Sequence, residues 1–514
     1  MFTMEKVDLE YLAGQLMFIG FPGSSVDEAR DLISDIKPCG LVFTIGNIRN
    51  PEQVRRLTSE FNRYARELGI PRFLYAIDHE GGLIMRFNDY VTFIPSHMAV
   101  GSTGAPRYAR AVAEIAGVEL NAMGLNVDFA PVLDINTNPY NPIIGIRSFG
   151  STPELVSSMG VEFIRGLHEK GIVATGKHFP GHGDTSVDSH LDLPVLTHDL
   201  ELLKSRELKP FKAAVDAGIQ LIMTAHVALP KIDRKIIPAT FSRRIIEGIL
   251  RRKLGFRGAV ITDSLLMKAV YDRYEASEIA AMALNAGCDI LLMSYDENFI
   301  YSIRDSIVDN VRAGRISRKR ILEAYSRVMN LRKFALQIKS RSYPLSVVGC
   351  TRHKEINRNI CLNSIRVVRD SAKILPLKQG MKIVLLLPRY RSMYPLPFNR
   401  LEEEVIRKFE DKGVKCLTVP IDINPLIEEV EDYIMEVDRL GGDAVIVATY
   451  DAYRYKGQLE LAKRIISSFD KSALIVLKEP TDYLMIREAK TIVLTYGISP
   501  AIVEAMVEVM CGGS

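Results

Sequence analysis

One short segment holds many of the residue types that can do chemistry. Residues 177–190 read KHFPGHGDTSVDSH and contain three of the nine histidines of the chain, one lysine and two aspartates. Imidazole, ammonium and carboxylate groups that lie close together can move protons, bind hydroxyl groups or hold a metal ion. An apolar run from Ile172 leads into the segment, so we expect a strand that delivers a polar loop to an open edge of the fold.

The end of this loop, Asp188-Ser189-His190, predicts a general acid and base. A carboxylate beside an imidazole orients the ring and raises its pKa toward the neutral range. The simpler alternative is a turn in which Asp188 caps its own backbone. Asp263, in the segment VITDSLLM, is the candidate nucleophile, although an aspartate there could instead cap a helix that opens at Ser264–Leu266.

Polar side chains also follow several other apolar runs. Asp78, Asp128 and His226 stand where such runs end, and Arg86 and Arg147 lie in glycine-containing loops. Each arginine could be a surface charge or a partner in a salt bridge. Together with a lysine and an aspartate, the arginines would instead form a polar rim suited to hydroxyl groups, because their donors and acceptors fix a ligand's orientation. The members of this predicted rim are Asp78, Arg86, Arg147 and Lys177.

The elements that must position these residues form an alternating pattern. Apolar runs rich in branched residues recur along the first 300 residues, with amphipathic stretches between most of them. Continuous apolar strands that alternate with helices predict a parallel sheet covered on both faces. Eight such units predict an N-terminal (β/α)8 barrel, with an open doubly wound sheet as the alternative. The predicted strands are Leu16–Phe21, Leu41–Ile45, Phe73–Asp78, Leu125–Ala130, Ile172–His178, Ile219–His226, Ala259–Asp263 and Ile290–Ser294.

A second α/β pattern follows the barrel. Residues 298–339 read as two helices that break at Gly314, and five further strands alternate with helices, which predicts a C-terminal doubly wound α/β sandwich. We therefore predict a barrel at 1–338, a linker at 339–352 and a second domain at 353–514. We expect this domain to buttress the barrel without supplying a catalytic residue. The predicted strands and helices are Ile383–Leu387, Lys415–Val419, Ala444–Ala448, Leu474–Leu477 and Ile492–Thr495, with Leu401–Lys412 and Leu459–Ser468.

Composition limits the class of protein. With 47% hydrophobic and 25% charged residues, the chain is typical of soluble globular proteins. A net charge of +4 on 514 residues gives no reason to expect a nucleic acid or membrane partner. The six cysteines are scattered, and we see neither a signal peptide nor an apolar run of the ~20 residues that a membrane span needs. We expect a cytoplasmic monomer or homodimer.

The loop histidines also allow a metal site. His178 and His182 are four residues apart, and Asp184, Asp188 and His190 could add ligands. The glycines and proline between these residues exclude a regular helix, so the spacing loses its usual meaning. A metal-dependent hydrolase is therefore a weaker alternative.

The motifs together resemble glycoside hydrolase family 3, most of all its β-N-acetylglucosaminidase branch. The resemblance covers both domains and rests on KHFPGHGDTSVDSH, AIDHEGGLIMRF, VDFAPVLDI, IGIRSFG and VITDSLLM. The loop histidine is the most discriminating mark, since β-glucosidase-like members generally lack it. The resemblance implies that Asp263 is the nucleophile, His190 the acid/base and Asp188 its partner. The sugar-binding residues that it implies are Asp78, Arg86, Arg147, Lys177, His178 and His226.

The implied activity is two-step, retaining hydrolysis of terminal N-acetyl-β-glucosaminides from small cell-wall or chitin-derived glycans, without a metal or organic cofactor. In this scheme Lys177 would balance the charge of Asp263. A neutral histidine repels an incoming anion less than a carboxylate does, so a phosphorylase is one alternative and a β-glucosidase is another. A sugar-binding protein on an inactive barrel is a third. We interpret His182 and Asp184 as structural, and the loop glycines predict mobility.

Overall fold

Two sheets organise the chain. We describe them from a computed structural model that covers residues 8–87, 90–338, 342–389 and 401–513. The first sheet is a parallel barrel, and the second is an open, mostly parallel sheet. None of the helices in these ranges is both long enough and apolar enough to span a bilayer.

The barrel has eight short strands whose side chains are buried on both faces. The strands are β1 (Met17–Gly20), β2 (Gly40–Phe43), β3 (Leu74–Ile77), β4 (Val127–Asp128), β5 (Val173–Phe179), β6 (Leu221–Thr224), β7 (Ala259–Ile261) and β8 (Leu291–Met293). From β1 to β7 each strand pairs in parallel with the next along the chain, and β1 also pairs with β8. A parallel bridge between Ile261 and Ile290 brings β7 against β8 and closes the ring. The predicted barrel is therefore confirmed, with one strand inside or overlapping each predicted run.

Helices on the outside connect the barrel strands. Several begin at side-chain caps that satisfy free N–H groups, such as Ser25 on Glu28 and Asn50 on Gln53. The segment 244–253 is π-helical. The predicted pair of helices after the last strand is confirmed by two helices, Glu297–Arg312 and Arg318–Gln337, which flank Gly314. The helices are α1 (Leu9–Gly14), α2 (Val26–Ile36), α3 (Pro51–Glu67), α4 (His97–Ser102), α5 (Pro106–Ala122), α6 (Pro153–Glu169), α7 (Leu200–Ser205), α8 (Leu208–Asp216), α9 (Pro230–Asp233), α10 (Lys268–Tyr271), α11 (Ala276–Ala286), α12 (Glu297–Arg312) and α13 (Arg318–Gln337).

The second sheet is doubly wound and carries one strand that the sequence pattern did not predict. Its strands are β9 (Arg366–Asp370), β10 (Lys382–Pro388), β11 (Lys415–Ile421), β12 (Ala444–Thr449), β13 (Ser472–Val476) and β14 (Thr491–Leu494). Their order is β11-β10-β12-β13-β14-β9, and only β9 is antiparallel. The other five confirm the predicted strands. The accompanying helices are α14 (Thr351–Ser364), α15 (Leu401–Glu410), α16 (Val430–Leu440), α17 (Lys456–Ser468), α18 (Thr481–Met485) and α19 (Pro500–Met510).

The two domains pack against each other. The barrel side chains Met98 and Ile146 lie in the core of the second domain. Glu119 of α5 accepts hydrogen bonds from the main chain of Gly349 and from His353 Nδ1, which ties the connecting segment to the barrel. Helix α14 begins at Thr351, so the last two residues of the predicted linker are helical, and residues 339–341 of that linker lie outside the described ranges. The exact domain boundaries stay a prediction.

Candidate active site

The carboxyl ends of the barrel strands bring the predicted site residues to one face. Asp78 follows β3, Asp128 ends β4, and Lys177 and His178 lie near the end of β5. His226 comes two residues after β6. Asp263 comes two residues after β7. Because all strands of a parallel barrel point the same way, residues far apart in sequence share one mouth, the usual place for an active site.

Five charged residues form a connected network on this face. Lys177 Nζ lies 3.0 Å from Asp78 Oδ1 and 2.6 Å from Glu80 Oε1. Arg147 donates to both oxygens of Glu80 at 2.8 Å, and Arg86 donates to Asp78 Oδ2 at 3.1 Å. The predicted rim of Asp78, Arg86, Arg147 and Lys177 is thus joined through Glu80, a residue that the sequence motifs contained but did not single out.

The network keeps its carboxylates ionised. Burial alone would raise the pKa of Asp78, but the charges of Lys177 and Arg86 outweigh it and lower that pKa to about 2. Burial also opposes ionisation of Glu80, yet Arg147 and Lys177 hold its pKa well below the ordinary value. Ionised carboxylates accept strong hydrogen bonds from sugar hydroxyl groups.

His178 is fixed by a second carboxylate that sequence reasoning missed. Its Nδ1 donates to Asp134 Oδ2 at 2.6 Å, and its Nε2 lies 3.4 Å from Arg147 Nη2. Asp134 also accepts from the main-chain N–H groups of His178 and of His182, the latter at 2.7 Å. Asp134 lies in the segment VDFAPVLDI, so the signal was present, but its partners are more than forty residues away in sequence.

The middle of the loop is held by side-chain hydrogen bonds and close packing. His182 contacts Thr185 Oγ1 through Nδ1 and Ser189 Oγ through Nε2, each at 2.9 Å. A Cβ atom on Gly183 would lie 1.8 Å from the Ile135 carbonyl oxygen, so glycine is needed there for close approach. These contacts support the structural interpretation of His182. The predicted mobility of the loop stays a prediction.

Asp184 belongs to a separate cluster near the base of the loop. Its carboxylate lies 2.6 Å from Arg206 Nη2 and 2.9 Å from His198 Nε2, and Arg206 also pairs with Glu207. Within the described ranges, Asp184, His198 and Glu207 are the one group of three close enough to hold a metal ion. The Arg206 guanidinium contacts all three of these side chains and supplies the positive charge that a metal ion would bring. The predicted metal ligands around His178 and His182 do not converge in this way, because their ring nitrogens contact Asp134, Thr185 and Ser189.

The far end of the loop carries the proposed acid/base pair. His190 Nδ1 lies 2.8 Å from Asp188 Oδ1, and its main-chain N–H donates to the same oxygen at 2.8 Å. The hydrogen bond that His190 donates to Asp188 is the main cause that raises the pKa of His190, burial opposes it, and the charge of Asp263 adds to it. The imidazole side chain is 52% exposed, so Nε2 can face a ligand in the barrel mouth.

Asp263 is a poised carboxylate rather than a helix cap. Residues 264–267 form turns, and α10 begins only at Lys268, so the predicted helix at Ser264–Leu266 is wrong. Asp263 Oδ1 accepts from the Ser264 N–H at 2.7 Å. Burial would raise its pKa, but the imidazoles of His178 and His226, with that N–H, lower it. Asp263 is therefore ionised near neutral pH.

His226 supports the main chain beside Asp263. Its Nε2 lies 3.1 Å from the Ser264 carbonyl oxygen and its Nδ1 lies 2.8 Å from Thr240 Oγ1. Burial is the main cause that lowers the pKa of this imidazole. Nε2 is the donor to Ser264, because a carbonyl oxygen can only accept. A direct contact of His226 with sugar stays a prediction.

The second domain reaches the same face through one barrel loop. Residues 136–150 lie in the connection from β4 to α6, include Arg147 and contact the second domain at several points. Glu479 accepts from the Ile146 N–H at 3.1 Å, and Thr481 Oγ1 donates to the Pro139 carbonyl at 2.5 Å. No sequence pattern pointed to these contacts, because they join residues more than three hundred positions apart.

A barrel mouth that combines an ionised aspartate, a histidine–aspartate pair and a rim of charged hydrogen-bonding groups defines the class of glycoside-cleaving enzymes. A family model described as the glycosyl hydrolase family 3 N-terminal domain matches residues 8–331. The match spans more than half of the chain, and the chain belongs to glycosyl hydrolase family 3.

Individual relatives agree with this assignment. The chain is 31% identical over 394 residues to the β-hexosaminidase A of Pseudoalteromonas piscicida, which covers 72% of this chain and 66% of that protein. It is 37% identical over 260 residues to a β-hexosaminidase of Methylobacillus flagellatus, covering 49% of this chain and 72% of the relative. A solved family 3 β-N-acetylglucosaminidase from Paenibacillus sp. str. FPU-7 superposes with a TM-score of 0.91 at 34% identity, covering 98% of this chain and 97% of that one.

Proposed function

We propose that this chain is a retaining β-N-acetylglucosaminidase that hydrolyses terminal N-acetyl-β-glucosaminides of small cell-wall or chitin-derived glycans. The observation that carries the proposal is that Asp263 and His190 lie on one barrel face and have pKa values shifted in opposite directions. The pKa of Asp263 is lowered and the pKa of His190 is raised, and the charge of each contributes to the shift of the other. Relatives named β-hexosaminidases support the choice of sugar.

The first step is attack by Asp263 on the anomeric carbon. A carboxylate oxygen forms a bond to that carbon while the bond to the leaving oxygen breaks. The His190 imidazolium gives its Nε2 proton to the leaving oxygen, because Nδ1 is held by Asp188 at 2.8 Å. The product is a glycosyl-aspartate, and His190 is left neutral.

The second step restores the enzyme. Neutral His190 takes a proton from water, and the resulting hydroxide bonds to the anomeric carbon as the bond to Asp263 breaks. Two inversions retain the configuration of the sugar. Asp188 stabilises His190 when it is charged, so the same side chain can act first as an acid and then as a base.

The rim holds the sugar during both steps. Asp78 and Glu80 offer ionised acceptors, and Arg86, Arg147 and Lys177 offer donors held in place by these carboxylates. Preformed groups cost little reorganisation when the ligand binds. We propose that these residues and His178 bind the hydroxyl groups.

A panel of nitrophenyl glycosides tests the proposal on the wild type, on Asp263→Ala and on Asp272→Ala. Asp272 is an exposed aspartate of the same segment and serves as the matched control. We expect N-acetyl-β-glucosaminide cleavage by the wild type and by Asp272→Ala, and its loss in Asp263→Ala. Cleavage of β-glucoside alone would overturn the sugar specificity, and an active Asp263→Ala would overturn the mechanism.

Two additions to the same assay separate the remaining alternatives. Formation of a sugar 1-phosphate at millimolar phosphate would identify a phosphorylase instead of a hydrolase. Full activity in a chelator is expected, and its loss would favour a metal-dependent hydrolase.

We further propose that the enzyme works in the cytoplasm as a monomer or homodimer, with a small carbohydrate as its partner and neither nucleic acid nor membrane. The small net charge of +4 and the six free thiols support this setting. Light scattering during gel filtration measures the oligomeric state, and a larger assembly would contradict the proposal.

A further inference from the structure

We propose that Glu479 of the second domain is a positioning residue for sugar binding, because it holds the turn that carries Arg147. This inference rests on the proposed function, in which Arg147 binds the sugar. It gives the second domain a part in the active site beyond supporting the barrel.

The contact between Glu479 and this turn is close and buried. Glu479 is 4% exposed and follows β13, and its Oε1 accepts from the Ile146 N–H at 3.1 Å. Gly145 has a φ of +43°, and a Cβ atom at this position would lie 1.9 Å from Glu479 Oε1. The 3-10 turn Gly145–Arg147 is therefore shaped to fit against this carboxyl group.

A carboxyl group in this position is costly to bury, so its local partners matter. The Lys478 ammonium donates to Asp451 at 2.7 Å, whereas the Glu479 carboxyl group accepts from the main chain of the barrel loop. Burial raises the pKa of Glu479 to about 7, and Lys478 only partly opposes this. The hydrogen bond from Ile146 is thus the specific contact that compensates for burying this side chain.

The turn leads directly to the sugar-binding rim. Arg147 donates to Ile143 O at 3.0 Å and to Glu80 at 2.8 Å, and its Nη2 lies 3.4 Å from His178 Nε2. A shift of the turn would move the main chain of Arg147 and therefore its guanidinium group. A displacement of about 1 Å is enough to weaken a binding site strongly.

Neighbouring contacts of the second domain hold the start of the same loop. Arg454 Nη2 donates to the Asn141 carbonyl at 3.4 Å, and the rings of Tyr453 and Tyr140 lie 5.8 Å apart. The Asn141 amide in turn donates to the His182 carbonyl at 2.9 Å. The second domain therefore contacts both ends of a loop that carries Arg147 near one end and contacts the histidine-rich loop near the other.

Three variants in the full-length chain test the inference. Glu479→Ala removes the acceptor, and Glu479→Gln keeps an oxygen that can accept from Ile146. Arg366→Ala is the control, because Arg366 also crosses from the second domain to a barrel carbonyl, Ser102 O at 3.0 Å, outside the loop. KM and kcat are measured with the glycoside that the wild type cleaves best, together with hydrogen–deuterium exchange of residues 139–147.

Glu479→Ala should raise KM roughly tenfold at nearly unchanged kcat, since uniform binding is lost. Exchange at 139–147 should quicken in the same variant. Glu479→Gln and Arg366→Ala should stay close to the wild type in both measurements. A wild-type KM in Glu479→Ala, equal damage in Glu479→Gln, or equal damage in Arg366→Ala would each overturn the inference.

Two further measurements distinguish a wrong inference from an unfolded variant and from a wrong proposed function. If Glu479→Ala does not fold, Gly145→Ala replaces it, since the added Cβ displaces the carboxyl group; an unchanged KM there overturns the inference. If the wild type cleaves no glycoside, the proposed function fails, and the exchange measurement alone decides the role of Glu479.

Discussion

Replacing Glu80 by glutamine tests whether the charged rim is a single unit. Both carboxylate oxygens of Glu80 accept from Arg147 at 2.8 Å, Lys177 Nζ lies 2.6 Å away, and the side chain is 1% exposed. Removing one partner of a buried ion pair costs about 3–5 kcal/mol. The glutamine side chain still offers one oxygen to Arg147, and Lys177 still pairs with Asp78. We therefore expect a loss at the lower end of this range, about 3 kcal/mol in the free energy of unfolding.

The same change should weaken sugar binding. Arg147 loses one of the two carboxylate oxygens to which it donates, and we expect KM to rise about tenfold with a smaller change in kcat. Urea unfolding followed by circular dichroism measures stability, since the chain has no tryptophan. The matched control is Glu114→Gln, because Glu114 also pairs with an arginine and a lysine but is 35% exposed.

For Glu114→Gln we expect a loss below about 1 kcal/mol, as for other surface pairs, and an unchanged KM. The reasoning is refuted if Glu80→Gln changes neither the unfolding free energy nor KM more than Glu114→Gln does.

Three further predictions concern the pH profile, the loop and the barrel base. Asp188→Asn should move the alkaline limb of the kcat/KM profile to lower pH, since Asp188 raises the pKa of the His190 acid; an unmoved limb contradicts its role. Asn141→Ala should lower kcat/KM about tenfold by releasing the loop at His182, and wild-type kinetics would argue against that support. Arg332→Met should cost about 3 kcal/mol in urea unfolding, because buried Arg332 donates to three acceptors; a loss below 1 kcal/mol would contradict this.

The barrel could be predicted from the sequence because its strands are buried on both faces. Each strand is a short, nearly continuous apolar run, such as 17–20 or 291–293, and the structure has a strand at all eight predicted places. Strand β9 was not predicted, because its sequence is RVVRD and both valines are over 40% exposed. An edge strand that covers no core leaves no apolar pattern to detect.

The site was predictable where chemistry and strand ends coincide, as at Asp78 and Asp263. Glu80 and Asp134 are in the quoted motifs, but their importance comes from partners 67 and 44 positions away. Sequence spacing within a motif does not reveal such partners. Glu479 is even further in sequence from its partner Ile146, and their contact depends on how the second domain packs against the barrel.

The charges of the rim also change the expected role of Lys177. The sequence-based scheme used Lys177 to balance the nucleophile, whereas in the structure its ammonium lies 3.0 Å from Asp78 and 2.6 Å from Glu80. Asp263 is kept ionised by neighbouring imidazoles and by the Ser264 N–H at 2.7 Å. A carboxylate that is stabilised this way holds its charge without a lysine bound to its oxygens. Asp263 therefore needs no lysine to stay charged, and the Lys177 ammonium belongs instead to the network formed with Asp78 and Glu80.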